Sequence, residues 1–210
     1  MIKPLIFLLT AGLTAGAVAA DNMSHAHMGH VTSGWKDTPS QAGLLPTAIA
    51  EAKIASQHAD FAAKRPGDLA WMKTHTLHVI HAIDPSRTDK GPGQGYGVLA
   101  AAKGVVKHIG FAADSEGASE AVKLHAEHVA TSAANTVARA EQMLTLAQQV
   151  LDTRDTAQAA ARVEKIQQLS HQLIDGADGN GDGKITWQAG EGGLSESQKH
   201  MGFMAAAEGI

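Results

Sequence analysis

Two sets of metal-ligating side chains stand out along this chain. The first is built from oxygen. Asp178-Gly179-Asn180-Gly181-Asp182-Gly183-Lys184-Ile185-Thr186 places side-chain oxygens at alternate positions. When such a segment curls, the oxygens of Asp178, Asn180 and Asp182 converge on one point. Gly183 supplies the left-handed backbone the sharp bend needs. Lys184 offers its carbonyl, and Thr186 a hydroxyl or a bridging water. Oxygen ligands of this kind suit Ca2+. The second set is built from imidazole. The chain has twelve histidines and no cysteine. Neutral imidazole is a ligand for zinc, copper, nickel and iron, whereas thiolate sites and cysteine redox chemistry are excluded.

The oxygen-rich segment resembles the EF-hand family, and the resemblance spans roughly residues 165–207: a helix, the loop and a short following helix. It implies a calcium site formed by Asp178, Asn180, Asp182, the Lys184 carbonyl and Thr186, with Ile185 turned into the core. One departure is plain. The family places a bidentate Glu at loop position 12, where this chain has Ala189. The next acid, Glu191, closes the site only if the loop is longer, and Gly190, Gly192 and Gly193 give the backbone that freedom. A single loop of this kind fits a structural staple better than a switch.

Histidines recur at helical spacing. His75-x-x-His78-x-x-His81 lies on one helical segment, and His125-Ala126-Glu127-His128 on another. A step of three residues turns a helix through about 60°, so adjacent members share a face but all three of the first set cannot aim at one atom. If the two segments are neighbours, they assemble a site for zinc, copper or nickel, or supply the two axial ligands of a haem b. No Cys-x-x-Cys-His is present, which excludes covalently attached haem. A third group, His25, His27, Met28 and His30, mixes imidazole with thioether and is a candidate for copper.

The elements that must position these residues are helical. Apolar residues recur at helical spacing over residues 47–64, 69–83 and 98–113, from Ser119 through Leu151 to a break near Asp155, and over 156–174, followed by a short helix from Leu194 to Ala207. Pro66-Gly67 and Asp84-Pro85 punctuate the series, Asp68 is a capping residue, and residues 84–97 form a glycine-rich loop. Gly104 and Gly110 either weaken their helix or allow a neighbour to approach closely. The expected fold is all-α: a bundle of four to five helices over residues 46–174, then the calcium loop and terminal helix over 175–210. Residues 21–45 lack an apolar period and are expected to form a flexible arm. Met201, Phe203 and Met204 on the last helix are expected to pack into the core; the alternative is a stripe that docks a protein partner.

Residues 1–20 have the three parts of a secretory signal: Lys3, an uncharged apolar run, and Ala17-Val18-Ala19-Ala20 before Asp21. The expectation is export to the periplasm or beyond, with no membrane span in the mature chain. The formal net charge is −4, one unit more negative without Lys3, and no basic patch invites nucleic acid. Phosphate-binding loop, nucleophile-elbow and zinc-protease motifs are absent, and nothing points to catalysis.

Overall fold

The computed structural model describes residues 23–210, so the expected secretory signal over residues 1–20 lies outside the described residues. These residues form seven α-helices and no strand: α1 (Met23–Thr32), α2 (Leu44–Ala63), α3 (Leu69–Ile83), α4 (Val98–Asp114), α5 (Glu120–Asp152), α6 (Thr156–Asp175) and α7 (Leu194–Glu208). Helices α2 to α6 make the bundle. α1 packs on α4, and α7 packs on α5. None of them is long and apolar enough to cross a membrane.

Local chemistry sets the helix boundaries. Asp68 accepts a hydrogen bond from the Trp71 amide at 2.9 Å and starts α3. The Ser119 hydroxyl accepts from the Val122 amide and starts α5. Asp155 accepts from the amides of Ala157 and Gln158, which separates α6 from α5. The bundle closes on small residues. On α2, Ala48, Ala52, Ala55, Ala59 and Ala62 are all buried at alternating steps of four and three. On α5, Ala126, Ala133, Ala140 and Ala147 are buried at steps of seven. Such stripes let helix axes approach to the short end of the usual 8–10 Å. Larger side chains, among them Met72, Ile83, Met143 and Leu173, fill the space between the stripes. Gly104 belongs to the same device: a Cβ there would lie 2.8 Å from Leu44 Cδ2, so α4 sits close against the start of α2.

Hydroxyls tie the layers across the seams. Thr136 donates to the Leu173 carbonyl (3.0 Å), Ser56 to the Ser170 carbonyl (2.9 Å) and Ser197 to the Val129 carbonyl (3.1 Å). The glycine-rich loop before α4 wraps a buried carboxylate. Glu51 is fully buried and accepts from the amides of Gln94, Tyr96 and Gly97. Three backbone donors satisfy a charge that would otherwise be costly to bury.

Two expectations change. Residues 23–32 are not an irregular arm but the helix α1, held down because Met28 and Val31 are buried in the core. Each such side chain contributes on the order of 1.5–3 kcal/mol when fully buried. Ile185 is 38% exposed and does not enter the core. On α7, Met201 and Met204 are buried and only Phe203 is outward, so the helix does not present a methionine stripe for docking.

The α1–α2 connection is tight enough to test. A Cβ on Gly43 would lie 2.6 Å from the Thr32 carbonyl oxygen and 2.7 Å from the Ser33 amide nitrogen, both backbone. Gly43→Ala is expected to destabilise the protein by about 1–3 kcal/mol. Thermal unfolding checks it: the variant should melt several degrees lower, and equal melting would mean that the connection relaxes freely.

Candidate metal centres

Three helix seams each carry the same arrangement. One helix contributes a His-x-x-His pair, and the helix packed against it contributes a single histidine. On the α1–α4 seam these are His27, His30 and His108. On the α2–α3 seam they are His75 and His78 from α3 with His58 from α2. On the α5–α7 seam they are His125 and His128 from α5 with His200 from α7. Residues three apart on a helix are neighbours on its surface, so a pair leans over the same stretch of seam. The partner helix supplies the third ring from across it.

In every triad the Nδ1 atoms face one another. His108 Nδ1 lies 3.2 Å from His27 Nδ1 and 3.3 Å from His30 Nδ1. His58 Nδ1 lies 3.1 Å from His75 Nδ1 and 3.2 Å from His78 Nδ1. His200 Nδ1 lies 3.1 Å from His125 Nδ1 and 3.3 Å from His128 Nδ1. An imidazole nitrogen has one in-plane lone pair or one proton, so it serves one in-line partner well and not two. A cation at the centre uses all three lone pairs at once. The spacing suits it: metal–nitrogen bonds of 2.0–2.1 Å in tetrahedral geometry separate ligand nitrogens by about 3.3–3.4 Å.

Aromatic rings line each triad. Trp35 packs on His108 and His30, with ring centroids 4.6 and 4.9 Å away, and Phe111 packs on His27. Trp71 packs on His75 at 4.3 Å, and Phe61 on His58 and His75. Trp187 stacks on His128 at 4.1 Å, and Phe203 packs on His125 and His200. All three tryptophans of the chain therefore sit at the triads. These rings hold the imidazoles in place and leave few neighbours able to hydrogen-bond them. Local charge differs among the three sites. Lys107 and Arg65 act on the first and second. Glu127, Glu196 and Lys199 act on the third, with Glu196 Oε2 3.6 Å from His200 Nε2. A carboxylate behind a ligating imidazole orients the ring and raises its basicity.

The sequence-derived histidines are thus redistributed. The pairs 75/78 and 125/128 do not share a site; each is completed by a third helix. His81 belongs to neither, because the helical turn carries it away: its Nδ1 accepts from the Gly93 amide at 3.1 Å beneath the glycine-rich loop. His25 pairs with Glu208 at 2.8 Å. Met28 is in the core, so the thioether is no ligand to the first triad. His58, His108 and His200, the hub of each triad, were not among the expected ligands. Each is followed three residues later by phenylalanine, as His58-x-x-Phe61, His108-x-x-Phe111 and His200-x-x-Phe203, and that recurrence was the available signal.

The oxygen-rich loop joins α6 to α7. The Asp178 carboxylate accepts from the amides of Gly181, Asp182 and Gly183, and Asn180 and Asp182 each accept from the amide two residues on. Gly181 and Gly183 take positive φ, +78° and +82°. Glu191 is 2% exposed, and its Oε2 accepts from both the amide (3.0 Å) and the hydroxyl (2.6 Å) of Thr186. Among the described residues, the groups of three or more histidine or acidic side chains that close within 4.8 Å are the three histidine triads. Asp178, Asp182 and Glu191 are not drawn that tightly. No family model, curated protein or solved structure matches the chain.

Burial lowers the pKa of the hub imidazoles, and the neighbouring histidines lower it further: His58 and His200 fall to about 4, and His108 falls as well. In the unfolded chain these groups titrate near 6.5. Between about 4 and 6.5 the unfolded chain therefore binds more protons than the folded one, and stability falls as pH falls through that window. The melting temperature of metal-free protein should hold above pH 6.5 and drop below it. The drop should be shallower in a His58→Gln/His200→Gln variant; an unchanged slope would assign the acid sensitivity to other groups.

Proposed function

We propose that this is an exported, non-enzymatic protein that binds three transition-metal ions, one in each histidine triad, and serves to buffer or deliver them. The observation that carries the reading is that on each of three seams the hub Nδ1 lies 3.1–3.3 Å from both Nδ1 atoms of a His-x-x-His pair, with all three ligand atoms within 4.8 Å of one another. The all-imidazole set suits Zn2+, copper or Ni2+. It favours a bare ion over haem b, because bis-histidine haem needs two imidazoles on opposite faces of a porphyrin rather than three converging on one point. The hub histidines are held in the neutral, ligating form near neutral pH by their burial. Ligands shared between two helices also make each ion a cross-link, so loading stabilises the fold by mass action.

Calcium enters the same proposal as a clamp on the α6–α7 loop, held by Asp178, Asn180, Asp182, the Lys184 carbonyl, Thr186 and Glu191. Its support is the ligand spacing together with the burial of Glu191 beside Thr186. A buried carboxylate is favoured by a nearby cation. Export rests on residues 1–20 alone.

Zinc titration of chelator-treated protein, followed by mass spectrometry under native conditions, tests the triads. Wild type should take up three equivalents, and His58→Gln, His108→Gln and His200→Gln should each lose one. A single equivalent lost by none of these variants would place binding elsewhere. For the clamp, calcium should raise the melting temperature of wild type and leave that of Asp178→Ala unchanged. Equal melting of wild type with and without calcium would remove calcium from the proposal.

A further inference from the structure

The third triad differs from the other two in what surrounds it. Its tryptophan comes from the oxygen-rich loop that leads into α7: Trp187 follows Thr186 directly and stacks on His128 with an angle of 21° between rings. The loop is fastened to the helix that carries His125 and His128. Asn135 donates to the Gln188 carbonyl and accepts from the Gly190 amide, both at 2.8 Å. The Arg139 guanidinium donates to the carbonyls of Gly190, Glu191 and Gly192. His128, Ser132, Asn135 and Arg139 follow one another at steps of four, three and four, so a single face of α5 carries a metal ligand and then the loop's anchors. Beyond Gly193 the chain enters α7, which brings His200 to the same triad. Gly192 lies against Ser132 so closely that a Cβ would fall 2.6 Å from its hydroxyl oxygen.

From this continuity we infer that calcium in the 178–191 loop controls transition-metal affinity at the third triad and leaves the first and second alone. The inference rests on the proposed reading of both sites. Calcium draws Thr186 and Glu191 toward Asp178. Those two residues flank Trp187 and precede α7, so closing the loop fixes the ring that packs on His128 and the helix that presents His200. Ser197 keeps α7 on α5 through the Val129 carbonyl in either state, so the triad loosens without calcium and does not come apart. The coupling is reciprocal: metal in the triad tightens calcium by the same factor.

The test uses the mature protein, stripped of metal and titrated with Co2+, whose visible spectrum reports imidazole ligation, with and without saturating Ca2+. One of three cobalt equivalents should tighten by about tenfold in calcium, within the usual range of coupling between sites. His200→Gln should bind two equivalents whose affinities ignore calcium. His108→Gln should bind two, one still calcium-sensitive. Trp187→Ala should bind calcium while losing most of the cobalt response. Three outcomes overturn the inference at different points. Failure of wild type to bind calcium, measured by calorimetry, removes it through the loop. Fewer than three cobalt equivalents removes it through the triads. Calcium binding with three cobalt equivalents unchanged, or all shifted equally, removes the coupling itself.

Discussion

Close approach of the helices is the constraint on which the metal centres depend. Nδ1 is the imidazole nitrogen nearer the backbone, so three of them meet across a seam only when the two helices lie close together. The alanine stripes of α2 and α5 allow that approach, with Ala55, Ala59 and Ala62 around His58 in sequence and Ala126 between His125 and His128. The leucine side chains of an ordinary bundle would hold the seams wider apart. Aromatic content follows the same pattern: outside residues 1–20 the bulky rings are few, and all the tryptophans and phenylalanines there lie at the triads.

Burying histidines in this way works against the metal-free fold. Each hub imidazole loses water and faces two others of its kind, of which its Nδ1 can hydrogen-bond one at a time. The pKa values of His58 and His200 are lowered first by burial and then by the neighbouring imidazoles, both of which disfavour a positive charge there. The aromatic packing and the apolar core offset the cost of burial. The triads are therefore pre-formed: the rings already lie close together across each seam, and little ordering remains to oppose the binding of an ion.

Much of the fold was legible in the sequence. Helical periodicity, the capping Asp68 and the Pro-Gly and Asp-Pro breaks mark the five bundle helices and the terminal helix, and the structure has them all. α1 was not legible, because its apolar face consists of Met28 and Val31 amid histidines and small residues, too sparse a period to register. The centres were half legible. His-x-x-His on a helix is a local signal, and His75, His78, His125 and His128 carry it. The hub histidines are separated from their pairs by 17 to 81 residues along the chain, and only packing brings them together. His81 shows the opposite error, in which regular spacing suggested a ligand that the helical turn carries elsewhere.

Three separate histidine triads, rather than one shared site, bear on how a protein that binds metal there would load. Each triad spans a different pair of helices: α1 with α4, α2 with α3, and α5 with α7. No histidine serves two centres, so no ligand must change its allegiance as ions arrive. The pairs are joined through one core, however, and an ion that fixes one seam stiffens the bundle to which the others belong. Local charge differs among the triads: Lys107 acts on the first, Arg65 on the second, and Glu127, Glu196 and Lys199 on the third. A protein with identical centres would fill and empty over one narrow range of metal concentration. Unequal surroundings spread that range, and spreading it is what a buffer requires.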